Sequence, residues 1–194
     1  MSSKQNKKEQ ILEAATSLFS RFGLDKTTMD DIAKHLNMGK ATLYYYFQNK
    51  LEIYKQVVQH ETQNIKEEIE KAVHDASTPQ RKIIAYVVAR IKYVHKIFKY
   101  YGKVRLKEPI LRNFPVIDEL REDFDQFEKK LIHDLLTMGV EQDVFQIKDI
   151  DLATRAFYSG VRGSEYQLAH DDSIENIQED IETLMSMVFR GIEK

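Results

Sequence analysis

The sequence predicts an all-α protein, and three observations carry that reading. Seven Gly and three Pro among 194 residues leave long stretches without a breaker. Apolar residues recur at spacings of three and four along most of the chain, as they do on one face of a helix. The short, evenly spaced alternating runs of a sandwich or barrel are missing. With 42% apolar and 31% charged residues the composition is that of an ordinary globular chain, long enough for one large domain or two small ones. The absence of cysteine excludes disulfides, thiolate metal sites and a Cys nucleophile, so stability has to come from packing.

Each element has its own signal. Ile11, Leu12, Ala15, Leu18, Phe19 and Phe22 mark a first helix from about Lys7, with Gly23 placed as a C-cap. Thr27 or Thr28 can N-cap a second, short helix carrying Met29, Ile32, Ala33 and Leu36, with Asp30 and Asp31 in its first turn, where the dipole favours anions. After Asn37, Met38 and Gly39, the stretch Lys40 to Phe47 reads as a third helix. A long fourth helix starts near Lys50 and carries Tyr54, Val58, Ile65, Ile69 and Val73 to Ala76. Ser77, Thr78 and Pro79 mark a stop and a restart into a fifth helix, which the pattern ends near Tyr101, before Gly102. Val116, Leu120, Phe124, Phe127, Leu131 and Leu135 define a sixth helix closing near Gly139. A seventh spans about Ile150 to His170, and an eighth carries Ile174, Ile177, Ile181, Leu184 and Val188.

Charge is distributed unevenly. Residues 1 to 60 carry a net +3 and the remainder −5, giving the overall −2. A basic head on an acidic body points to the head as the part that meets phosphates. Thr28 to Phe47 has the anatomy of a helix-turn-helix, whose second helix enters the DNA major groove while the first braces it. Met29, Ile32, Ala33, Leu36, Leu43 and Phe47 are expected to pack on the first helix. Lys40, Ala41, Thr42, Tyr45 and Tyr46 are then left facing outward. Three successive Tyr residues cannot all face one core on a helix that advances roughly 100° per residue. An outward set of ammonium, hydroxyl and methyl groups suits phosphate, guanine and the thymine methyl.

The stretch TTMDDIAKHLNMGKATLYYYFQNKLEIY closely resembles the DNA-binding signature of the TetR family of bacterial transcriptional regulators, with the likeness covering about Lys7 to Tyr54. The resemblance implies that Thr27 and Thr28 touch phosphate at the start of the second helix. It also implies that Lys40, Ala41, Thr42 and Tyr45 face bases, and that Tyr44, Tyr46 and Lys50 contact the backbone. Gly39 departs from a Ser common in the family, which removes a hydroxyl while keeping an N-cap. The expected organisation is a three-helix reader over residues 1–50, joined by the long helix to a helical ligand-binding and dimerisation bundle over residues 51–194. The partners are a double-stranded DNA operator and a second copy of the chain, because so small a reader needs two half-sites.

The last two helices are the expected dimer interface, through the small residues Gly160 and Gly163 and an apolar seam of Ile177, Ile181, Leu184 and Val188. The fifth helix is apolar nearly all round, as a buried helix is. In the resembled family the corresponding helix lines a small-molecule pocket. Here the candidate lining is Tyr86, Arg90, Tyr93, Val94 and Phe98, with Phe114, Phe124, Phe127, Tyr158 and Arg162. Two readings stand for Arg90: a clamp for an anionic effector, or a structural salt bridge to Glu165 or another acid. The expected function is therefore a ligand-responsive regulator, with repression the family's commonest output and release by a small, largely apolar effector. The alternative is a helical DNA-binding or protein-interaction protein without an effector.

Catalysis is not expected. The six His residues include no pair at helical metal-binding spacing, and no H-E-x-x-H, Walker loop or G-x-G-x-x-G occurs, so neither a metal nor a cofactor is predicted. The polar N-terminus and the lack of an apolar run of about 18 residues predict a cytoplasmic chain that does not enter a membrane.

Overall fold

The computed structural model describes residues 3–106, 115–170 and 177–192. Eight helices follow one another in these residues: α1 (Ser3–Phe22), α2 (Met29–His35), α3 (Lys40–Tyr46), α4 (Lys50–Asp75), α5 (Pro79–Leu106), α6 (Pro115–Glu141), α7 (Ile150–His170) and α8 (Ile177–Phe189). The chain divides into two compact units, Met1–Gln63 with Lys99–Leu120, and Asn64–Phe98 with Arg121–Lys194.

The core of the first unit is built from residues at helical spacing. Ile11, Ala15, Leu18 and Phe19 of α1 meet Ile32 and Ala33 of α2, Leu43 of α3 with the following Phe47, and Ile53, Tyr54 and Val57 of α4. The Tyr54 ring stands edge-on to Phe19, with centroids 5.6 Å apart. α1 ends where the pattern places its C-cap: Gly23 has φ 84°, and its N–H donates to the Phe19 carbonyl at 3.0 Å. α2 opens with a capping box in which the Thr28 hydroxyl accepts from the Asp31 N–H and the Asp31 carboxylate accepts from the Thr28 N–H. The turn between α2 and α3 passes through Asn37 at φ 50°, a conformation that Asn tolerates better than most residues. Asn49 Oδ1 accepts from the Glu52 N–H at 2.9 Å and so starts α4.

In the second unit Ile65, Ile69 and Val73 of α4 pack with Ile83, Tyr86, Val87 and Ile91 of α5, Ile132, Leu135 and Leu136 of α6, and Ile181, Met185 and Phe189 of α8. Thr78 accepts from the Arg81 N–H with Pro79 as the first helical residue of α5, the predicted restart. α5 continues through Gly102 to Leu106, beyond the end the pattern suggests. A single helical Gly costs only about 1 kcal/mol relative to Ala and does not by itself break a helix. Ile174, counted in the seam of the last helix, lies outside the described residues.

Past α6 the chain reverses tightly onto Phe145, whose N–H donates to the Gly139 carbonyl at 3.0 Å and whose ring stacks on Phe189 at 5.8 Å. A Cβ on Gly139 would overlap the Phe145 ring. Gly139→Ala is therefore expected to destabilise the second unit by about 1–3 kcal/mol through overpacking, measured as a lower urea midpoint at unchanged slope.

Candidate nucleic-acid interface and effector site

Seven residues of α3 present two opposite faces. Leu43 and the adjoining Phe47 are almost fully buried, whereas Ala41, Thr42 and Tyr44 are exposed and Tyr45 is 69% exposed. Tyr46 is half-buried, edge-on to Tyr45 with centroids 5.2 Å apart. The Lys40 ammonium lies 2.8 Å from Asp30 Oδ1 of α2 and 6.0 Å from the Tyr44 ring centroid. That carboxylate pushes the Lys40 ammonium above the usual lysine range. Thr28 is exposed at the start of α2, and hydrogen bonds from its hydroxyl and N–H hold Asp31 below the usual aspartate range.

Two residues expected at the phosphates are used internally. Thr27 is 1% exposed, and its hydroxyl donates to the Gly23 carbonyl at 2.7 Å, so it closes the link between α1 and α2 instead of facing outward. Thr28 alone of the pair is on the surface. The Lys50 ammonium donates to the Leu24 and Asp25 carbonyls and pins the same link to the start of α4.

The interior of the second unit holds a polar group among aromatic rings. Tyr86 is fully buried and Arg90 is 5% exposed, and both reach Glu128 of α6, which has no exposed surface. Tyr86 Oη donates to Glu128 Oε1 at 2.9 Å and Arg90 Nε to the same oxygen at 2.7 Å. The guanidinium carbon sits 5.2 Å from the Phe124 ring centroid, and Phe124 stacks on Phe127 at 6.0 Å. Tyr93 packs on this core, and Val94 is half-buried. Arg162 lies 3.5 Å from Asp125 Oδ1 and 5.9 Å from the Tyr158 ring. Burial, and then a hydrogen bond to Asp125, pushes the Tyr158 phenol well above its ordinary range. Of the two readings for Arg90, the salt bridge is the one present, and its acid is Glu128. Phe114 and the side chains of Phe98 and Glu165 lie outside the described residues.

On α7 and α8 the small and apolar residues are divided. Gly160 and Gly163 are exposed, with open space where a Cβ would stand. Leu184 is 50% and Val188 43% exposed, while Ile177 is half-buried and Ile181 belongs to the unit's own core. Ala156, Gly160, Leu184 and Val188 help line a groove of about 440 Å³.

A short helix seated by its apolar face beside a second one, with an exposed hydroxyl-bearing surface, defines a helix-turn-helix protein with an all-α second unit. Residues 11–57 match the family model for bacterial regulatory proteins of the tetR family. The biofilm operon icaADBC HTH-type negative transcriptional regulator IcaR of Staphylococcus epidermidis is 50% identical over 52 residues, which are 27% of this chain and 28% of that protein. The chain thus spans less than a third of the length of the curated relatives it matches. Among solved structures, a transcriptional regulator from Cytophaga hutchinsonii has a TM-score of 0.75 at 25% identity, covering 96% of this chain and 98% of the other. The TetR family transcriptional regulator PfmR from Thermus thermophilus shares the fold, with a TM-score of 0.68 at 24% identity over 95% and 96% of the two chains. Residues 11–57 thus form a helix-turn-helix segment of the tetR family of bacterial regulatory proteins.

Sequence reasoning missed Glu128 and the Asp30–Lys40 pair. Glu128 had a readable signal, because it follows Phe124 by four residues and precedes Ile132 by four, on the apolar stripe of α6. Asp30 had none, since its partner is on another helix. Arg90→Met is expected to cost about 3–5 kcal/mol by leaving Glu128 buried and unpaired, whereas Arg90→Met with Glu128→Leu should recover most of it in a denaturation double-mutant cycle. Asp31, with its lowered pKa, should stabilise the head at neutral pH and lose that contribution as pH falls below the aspartate range. Thr28→Ala should flatten this acid limb in thermal melts.

Proposed function

We propose that this chain is a ligand-responsive transcriptional repressor that binds a palindromic operator as a homodimer and is released by a small, largely apolar effector. In this reading residues 1–50 are the DNA reader, residues 51–194 sense and dimerise, and the protein works in the cytoplasm, where bacterial DNA lies. The observation that carries it is the outward face of α3, where Ala41, Thr42 and Tyr45 are exposed beside Lys40. Two such helices about 34 Å apart would enter successive major-groove turns. Dimerisation is supported by Leu184 and Val188, which remain exposed, and by Gly160 and Gly163, which leave room for a close helix approach.

The response would pass through α4. One uninterrupted helix supplies Ile53, Tyr54 and Val57 to the first core and Ile65, Ile69 and Val73 to the second. A ligand that prefers one arrangement of the second core would shift the population of reader positions by as much as its affinities for the two states differ. A second reading, DNA binding without an effector, draws on the internal pairing of Arg90. Compounds that loosen operator binding would exclude it; a screen in which none does would favour it.

Operator affinity should fall with salt at a slope of roughly 0.9 per phosphate contacted, and Lys40→Ala should lower that slope by about one unit. Asp30→Asn frees Lys40 from an exposed pair of at most about 1 kcal/mol, so affinity should rise by up to about fivefold. Thr42→Ala and Tyr45→Ala should change sequence preference at nearly constant slope. Binding assays on the operator and on mismatched duplexes test all four, and indifference to every one of them would remove the assignment of α3.

A further inference from the structure

Glu128 has one carboxylate oxygen that is heavily used and one that is not used at all. Oε1 accepts from both Tyr86 and Arg90, while Oε2 is equally buried and has no hydrogen-bond partner. Removing a carboxylate oxygen from water without giving it a donor is costly, so such atoms are rare and call for an explanation. Charge is not what this position lacks, because the Arg90 guanidinium already faces the carboxylate. It lacks a hydrogen-bond donor. The neighbouring surface is apolar, with Phe124 beside the guanidinium and Phe127 stacked on Phe124.

We propose, resting on the effector reading above, that Glu128 Oε2 is the recognition atom of the effector site and that the effector is an apolar molecule bearing a hydroxyl or amine donor. A carboxylate or phosphate brought to Oε2 would meet a bare, negatively charged oxygen and be repelled. This argues against the anionic effector that the clamp reading of Arg90 requires. Oε2 has essentially no accessible surface, so a donor reaches it only when α5, which carries Tyr86 and Arg90, and α6, which carries Glu128, move apart. The hydrogen bond is then formed only in the opened state. That is the differential affinity a ligand needs in order to shift a population.

The test uses the full chain and three probes of equal chain length, 1-octanol, octylamine and octanoate, with binding followed by calorimetry and operator release measured separately. Octanol and octylamine should bind roughly tenfold or more tightly than octanoate, as expected for a hydrogen bond to a charged acceptor. Glu128→Gln, which places an amide donor at one of the two positions, should erase that preference. Should Glu128→Gln fail to fold, the wild-type ranking decides alone, and Tyr86→Phe, which keeps the carboxylate, should retain it. Octanoate binding as tightly as the other two, or no binding by any of the three at their solubility limits, overturns the proposal. Donor probes that bind with this preference yet leave operator affinity unchanged would overturn the effector reading and leave Glu128 as the site. Release of operator by octanoate as effectively as by octanol would do the reverse.

Discussion

The burial of Leu43 and Phe47 is the constraint on which the outward face of α3 depends. A seven-residue helix is far too short to be stable on its own in water, because the cost of nucleating it is not recovered over two turns. α3 exists because Leu43 and the adjoining Phe47 complete a core already lined by α1, α2 and α4. Once they are seated, the rotation of the helix is decided, and Ala41, Thr42 and Tyr45 have only the outside left to face. The exposed set is therefore a consequence of packing, and the surface could not be re-aimed without emptying the core.

Polar groups around that core reinforce the same arrangement. Thr27 and Lys50 donate to backbone carbonyls in the link between α1 and α2, satisfying acceptors that a helix end would otherwise leave open. The Thr28–Asp31 capping box does the same for the donors at the start of α2. These contacts show why a residue type suited to phosphate is not evidence of phosphate contact. A hydroxyl or ammonium serves a buried carbonyl as well as it serves DNA, and burial decides between the two. The second unit makes the same point with larger charges, since Arg90 is a suitable clamp for an anion but spends its Nε on Glu128.

Much of this was legible in the chain. The helix order, the Gly23 cap, the restart at Pro79 and the apolar faces of α2 and α3 follow from spacing, capping chemistry and the geometry of 3.6 residues per turn. The candidate surface on α3 was legible for the same reason, because a periodic apolar stripe implies its complement. The roles of Thr27 and Lys50 were not, since their partners are carbonyls that no sequence pattern marks. Glu128 was half legible: an acid on an apolar stripe signals a buried charge, but not which cation answers it.

What the sequence determined by itself was local: which segments are helical, where they start and stop, and which face of each is apolar. Those properties depend on neighbours within a few residues. Only the tertiary structure decided that Asp30 meets Lys40, that Tyr86 and Arg90 converge on one oxygen of Glu128, and that Ile181 is core while Leu184 and Val188 stay exposed. Each of those outcomes depends on the separation and rotation of two helices distant in sequence, and a sub-ångström hydrogen-bond geometry cannot be read from the period of either helix alone.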